Sequence, residues 1–136
     1  MKYVESHYRT INDKNHRAIA GLSMGGFHSL YISANNPDLF GYVGLFSAAT
    51  SKQINNKNTS DVYENLDQKL ATQFSNPPRL YWIGIGKTDF LYKDNIDFRK
   101  QLDEKGYKYT YVETDGGHIW RNWRVYLTEF APLLFK

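Results

Sequence analysis

The sequence predicts an α/β domain in which a parallel sheet of about four strands is flanked by helices. Short runs with strand character, at 16–20, 42–46, 79–85 and 107–113, alternate with longer segments of helical periodicity. Strands that alternate with helices in this way imply right-handed crossovers and a parallel sheet. The chain has 136 residues, a length that suits one domain over 1–136, because single domains most often run about 100–150 residues.

Each element has its own local reason. Tyr3, Val4, His7, Tyr8 and Ile11 recur at helical spacing, so residues 1–11 read as a helix already under way at the first residue. Asn12-Asp13-Lys14-Asn15 is a turn cluster, and His16 to Ala20 a short strand. Phe27, Leu30, Tyr31 and Ala34 form the stripe of an amphipathic helix, which Pro37 ends by disfavouring helical geometry in the residue before it. Tyr42 to Phe46 reads as a buried strand, and the polar stretch from Ser51 to Ser60 as an exposed, mobile excursion.

Asp61 with Glu64 three residues later has capping-box character, opening a helix that runs to about Phe74 and stops at Pro77-Pro78. Arg79 to Ile85 is the third strand. A helix from about Asp94 to Lys105 should end on Gly106, and Tyr107, Tyr109 and Tyr111 alternate along the fourth strand. After the turn Thr114-Asp115-Gly116-Gly117, a last helix over 119–131 should bury Trp120, Trp123, Tyr126, Leu127 and Phe130.

Composition narrows the function classes. Hydrophobic residues make up 41% and charged residues 23%, ordinary values for a folded chain and well away from disorder. No apolar run approaches the length of a spanning helix, which argues against a membrane protein. A net charge of +3 without a Lys/Arg cluster gives no support for nucleic acid. The absence of cysteine removes disulfides, thiolate metal sites and a cysteine nucleophile. With no paired-histidine ligand spacing and no phosphate loop, neither metal nor nucleotide cofactor is expected. The first residues, Met1 to His7, hold no apolar core of a signal peptide.

One motif carries chemistry. Gly21-Leu22-Ser23-Met24-Gly25 is a G-x-S-x-G sequence lying between a strand and a helix, the context of a nucleophile elbow. The sharp turn requires small residues two before and two after the serine, here Gly21 and Gly25, while Gly26 lets the helix approach the sheet. Met24 then offers its backbone N–H, at a helix N-terminus, to a developing oxyanion. The alternative is a glycine-rich turn with an inert serine.

A serine hydroxyl needs a base. Of four histidines, His7 and His16 read as surface residues and His28 as a helix residue facing solvent or packing. His118, in a loop at the C-terminal edge of the fourth strand, is the expected base. The carboxylate orienting it should be Asp89, which follows the third strand on the same edge and gives the chain order Ser, Asp, His. Asp94 and Asp97 suit a helix start, and Asp115 an Asx turn. Trp120 is a candidate wall of a substrate pocket, whereas Trp123 suits packing of the last helix on the sheet.

The run Arg17 to Phe27, with Gly86-Lys87-Thr88-Asp89, Gly116-Gly117-His118-Ile119-Trp120 and Trp123-Arg124, resembles the esterase group of the α/β-hydrolases. That group holds the feruloyl and acetylxylan esterases of carbohydrate esterase family 1, the enterochelin-type esterases and the mycolyltransferases. The resemblance spans essentially the whole chain. It implies a serine carboxylic-ester hydrolase acting on a small ester, or on a feruloylated or acetylated plant polysaccharide, and a secreted or periplasmic setting. A catalytically weak remnant serving as an interaction module, an acyltransferase and a siderophore esterase remain open.

By that resemblance the chain corresponds to the C-terminal half of a hydrolase domain, a partial α/β-hydrolase in which the N-terminal half of the sheet is absent. The loop that supplies a second oxyanion donor would be absent too, a loss that typically costs about 100- to 1,000-fold in rate. The four strands should lie side by side in chain order, leaving 16–20 as an open edge that invites a homodimer.

Overall fold

The computed structural model describes residues 1–50 and 60–136. The expected polar excursion from Ser51 therefore lies, apart from Ser60, outside the described residues. The order of elements is α1 (Lys2–His7), β1 (Ala18–Leu22), α2 (Met24–Asn35), β2 (Tyr42–Phe46), α3 (Leu66–Ser75), β3 (Leu80–Gly86), α4 (Tyr92–Glu104), β4 (Thr110–Thr114) and α5 (Trp120–Phe130). The four strands form one sheet in chain order, and every pairing is parallel, with Ala20 opposite Gly44, Gly44 opposite Trp82 and Gly84 opposite Val112.

Strand alternation splits the core into two layers. Val43 and Leu45 of β2 and Tyr81, Ile83 and Ile85 of β3 point toward α2, α3 and α4, joining Phe27, Leu30, Leu70, Phe98 and Leu102. The intervening Tyr42, Phe46 and Trp82 point the other way and pack with Tyr126 and Phe130 of α5. Gly44 and Gly84 lie on this second face, where an added Cβ would come within 3.1 Å of the Phe130 ring and 3.0 Å of the Tyr126 ring. The missing side chains are what let α5 seat its aromatic residues directly on the sheet.

Most element boundaries fall within a few residues of expectation, and the exceptions have local causes. The first strand is Ala18–Leu22 rather than 16–20, because Asp13 caps a 3₁₀ turn that holds Lys14–His16. The first helix stops at His7 and buries nothing. Asp61 and Glu64 belong to a turn, and α3 starts after Asn65, whose left-handed φ of 54° sets the entry angle. The fourth strand begins at Thr110, after a Schellman turn in which Gly106 takes φ 70°, and Gly106 and Tyr107 donate to the carbonyls of Asp103 and Leu102.

The last helix buries a different stripe from the expected one. Asn122, Tyr126 and Phe130, spaced i, i+4, i+8, face the sheet, with Trp123 half-buried beside them. Trp120 and Leu127 stand 65% and 56% exposed on the flank toward β1. Together with Ala20, Leu22, Phe46, Trp123 and Arg124 they line an open apolar groove of about 280 Å³.

Candidate active site

Ser23 occupies the turn between β1 and α2 with φ 54° and ψ −117°, a conformation outside the ordinary wells of an L-residue. Three backbone bonds hold it there. Its N–H donates to the Phe46 carbonyl at 2.8 Å, and its own carbonyl accepts from Phe27 and Ala49. The turn can form only because Gly21 lacks a side chain, since a Cβ there would lie 2.2 Å from the backbone of Gly25. Gly26 is needed as well, because a Cβ on it would meet the Ala48 methyl at 2.5 Å. Gly25 differs from the sequence expectation: a Cβ at this position meets nothing within 4 Å among the described residues.

A serine at a helix N-cap ordinarily accepts from a backbone N–H of the first turn. Ser23 makes no such cap. Its hydroxyl instead donates to His118 Nε2 at 2.8 Å. With that nitrogen accepting, the proton of the neutral ring sits on Nδ1, which donates to Asp89 at 2.9 Å and 3.1 Å from the two carboxylate oxygens. Asp89 is only 4% exposed, and its Oδ1 also accepts from the Leu91 N–H.

Backbone bonds between the two loops hold Asp89 and His118 together. Lys87 N–H donates to the Thr114 carbonyl and Thr88 N–H to that of Gly116, so the segments after β3 and β4 run on as a pair beyond the sheet. Gly86 permits the close approach, because a Cβ there would sit 2.2 Å from the Gly116 carbonyl oxygen. Asn122, buried at the start of α5, donates its side-chain amide to the Gly117 carbonyl at 2.9 Å and fixes the loop just before His118.

The structure thus brings Ser23, Asp89 and His118 into one hydrogen-bonded line, with the Met24 backbone N–H beside the serine at the first position of α2. First-turn N–H groups have no partner within their own helix, so this donor is available to an anion. His7, His16 and His28 are exposed and away from the line, and His16 pairs with Asp13. Asp115 is also exposed; its carboxylate meets Lys87 rather than closing an Asx turn.

Two residues escape the sequence reading. Asn122 carries a signal, a polar residue on the sheet-facing stripe of an amphipathic helix. Phe90, next to Asp89, has its ring 4.6 Å from the imidazole. Nothing in the periodicity of the sequence marks it. Trp123 also meets His118, edge-on at 5.0 Å, and Trp120 stacks edge-on against Trp123 at 5.1 Å.

An open parallel sheet with a strained strand-to-helix serine, and acid and base following later strands, defines a partial α/β-hydrolase fold. Residues 1–134 match the model of the family described as Putative esterase, and the chain belongs to that family. Among similar proteins, an endo-1,4-beta-xylanase/feruloyl esterase of Xylanibacter ruminicola is 28% identical over 98% of this chain and 16% of its own length. An acetyl esterase of Caldicellulosiruptor saccharolyticus is 27% identical over 87% of this chain and 54% of its own. Among solved structures, a fluorophosphonate-binding serine hydrolase of Staphylococcus aureus superimposes with a TM-score of 0.83 at 22% identity, covering 99% of this chain and 60% of that one. The chain therefore spans about half the length of the acetyl esterase and of that hydrolase, and a smaller share of the xylanase.

Proposed function

We propose that this chain carries the catalytic centre of a serine carboxylic-ester hydrolase. The Ser23 oxygen attacks the ester carbonyl carbon while His118 Nε2 takes its proton, and the carbonyl oxygen gathers charge toward the Met24 N–H. The bond to the alcohol oxygen then breaks, and His118 returns the proton to that oxygen as the alcohol leaves. Water repeats the sequence on the acyl-serine and releases the acid. Asp89 holds the ring with its proton on Nδ1 and stabilises the imidazolium. The observation that carries this reading is the pair of contacts on His118, Nε2 to Ser23 and Nδ1 to Asp89.

The names of the two curated relatives favour a feruloyl or acetyl ester of a plant polysaccharide as substrate. Trp120, beside the apolar groove, is the aromatic wall such an acyl ring would meet. A series of p-nitrophenyl acetate and methyl ferulate assays on the chain and on Ser23→Ala tests the reading. Ester cleavage that depends on Ser23 is expected, and equal rates in the two proteins would overturn it.

The partner reading is that a second copy pairs along β1, which among the described residues has β2 on one side only and leaves Ala20 exposed. Sedimentation should then show a dimer. A monodisperse monomer with fast amide exchange on the outer edge of Ala18–Leu22 would refute it.

A further inference from the structure

The roles assigned so far do not use Phe90. Its ring is 75% exposed although it directly follows the buried Asp89, so a ligand that covered it would take apolar surface out of water. Its one ring neighbour among the described residues is His118, tilted by 48° with centroids 4.6 Å apart. Trp120, Trp123, His118 and Phe90 form an unbroken run of rings, with the imidazole inside it and an exposed ring at each end.

The chemistry of His118 tells which half of an ester lies beside Phe90. The imidazolium must hand its proton to the departing oxygen, so the alcohol half rests against the imidazole when its bond breaks. The carbonyl oxygen points instead toward the start of α2. Of the two rings that touch the imidazole, Trp123 is half-buried against the sheet, so the exposed ring of Phe90 is the one placed to border the alcohol half.

We propose that Phe90 is a specificity-determining residue for the alcohol half of the ester, its ring covering a flat apolar surface such as an aryl group or the C–H face of a sugar. The inference rests on the esterase reading for its choice of ligand. It adds a preference that neither the triad nor the acyl group supplies.

Acetyl esters of different alcohols test this, because they pass through the same acetyl-serine and differ only until the alcohol leaves. Phe90→Ala should lower kcat/KM for benzyl acetate at least about fivefold more than for ethyl acetate, the size of an aromatic contact. Phe90→Tyr should restore the ratio. An effect relayed through His118 would strike both esters alike, and that outcome overturns the proposal. An acetylated methyl xyloside in the same series shows whether a sugar face is covered as well as an aryl one.

The deciding measurement needs no turnover. In the Ser23→Ala background, NMR titration should show Phe90→Ala raising the Kd of benzyl acetate at least about threefold more than that of ethyl acetate. A difference below twofold overturns the proposal whatever the rates show. If the binding difference holds while the unmodified chain cleaves no ester, the alcohol-side assignment stands and the esterase reading falls.

Discussion

The two flanks of the sheet are built to different standards. Between β3 and β4 the chain closes on itself: the loops carrying Asp89 and His118 are joined by backbone bonds, and Asn122 holds the His118 loop from below. Along β1 the construction is open. Ala20 is exposed, Trp120 and Leu127 stand out from α5, and α1 buries none of its residues. The geometry of the candidate triad therefore depends on contacts made within this chain, whereas the β1 flank presents apolar surface that such contacts do not cover.

The largest expected effects fall on the line that joins the closed flank, through Asp89 and His118, to Ser23 at the end of β1. Ser23→Ala should reduce kcat on p-nitrophenyl acetate by about 10⁶-fold if the line acts as a unit, as removal of a triad nucleophile does elsewhere. Asp89→Asn should leave the fold intact and cost about 10⁴-fold, because the amide favours the wrong tautomer of His118. A loss below tenfold for Asp89→Asn would mean that the backbone bonds, rather than the carboxylate, set the ring. Near-ultraviolet circular dichroism of each variant separates lost chemistry from lost structure.

The next effect compares two residues of one helix. Phe130 is 2% exposed among Phe46 and Trp82, so Phe130→Ala should cost about 3–5 kcal/mol in urea unfolding. Leu127→Ala, on the open flank, should stay within about 0.5 kcal/mol for the isolated chain. If a second copy covers that flank, the Leu127 cost should grow with protein concentration while the Phe130 cost does not. Equal costs at low concentration would show that the flank is covered by this chain itself.

What the sequence disclosed and what it hid follow the same division. The elbow and the Ser23, Asp89 and His118 line were legible, because a strand-to-helix glycine motif and strand-end positions of a carboxylate and an imidazole are local signals, whereas the sheet order came only with the family resemblance. Other readings failed where structure is decided through space. Asp61 and Glu64 had the spacing of a cap, yet Asn65 in a left-handed conformation starts α3. Trp120 and Leu127 fit a helical stripe, but the sheet beneath α5 ends at β1, so those side chains have no strand to cover. Phe90 gave no periodic signal, since its neighbour His118 comes from a loop 28 residues further along the chain.

The smallest effect concerns the elbow glycines, which the motif treats alike and the structure does not. Gly21→Ala places a Cβ against rigid backbone and should destabilise by about 1–3 kcal/mol or more. Gly25 sits within α2 without a positive φ and with open space where its Cβ would be. Gly25→Ala should therefore stabilise the fold, by about 0.5–1 kcal/mol, through the lower entropy of the unfolded chain. Urea unfolding of both variants checks the contrast. If Gly25→Ala gains stability but loses ester cleavage tenfold or more, its side of the elbow is kept bare for the approach of the substrate rather than for the turn. If it loses stability, the open space that the described residues leave beside Gly25 does not govern the site, and the contrast with Gly21 fails.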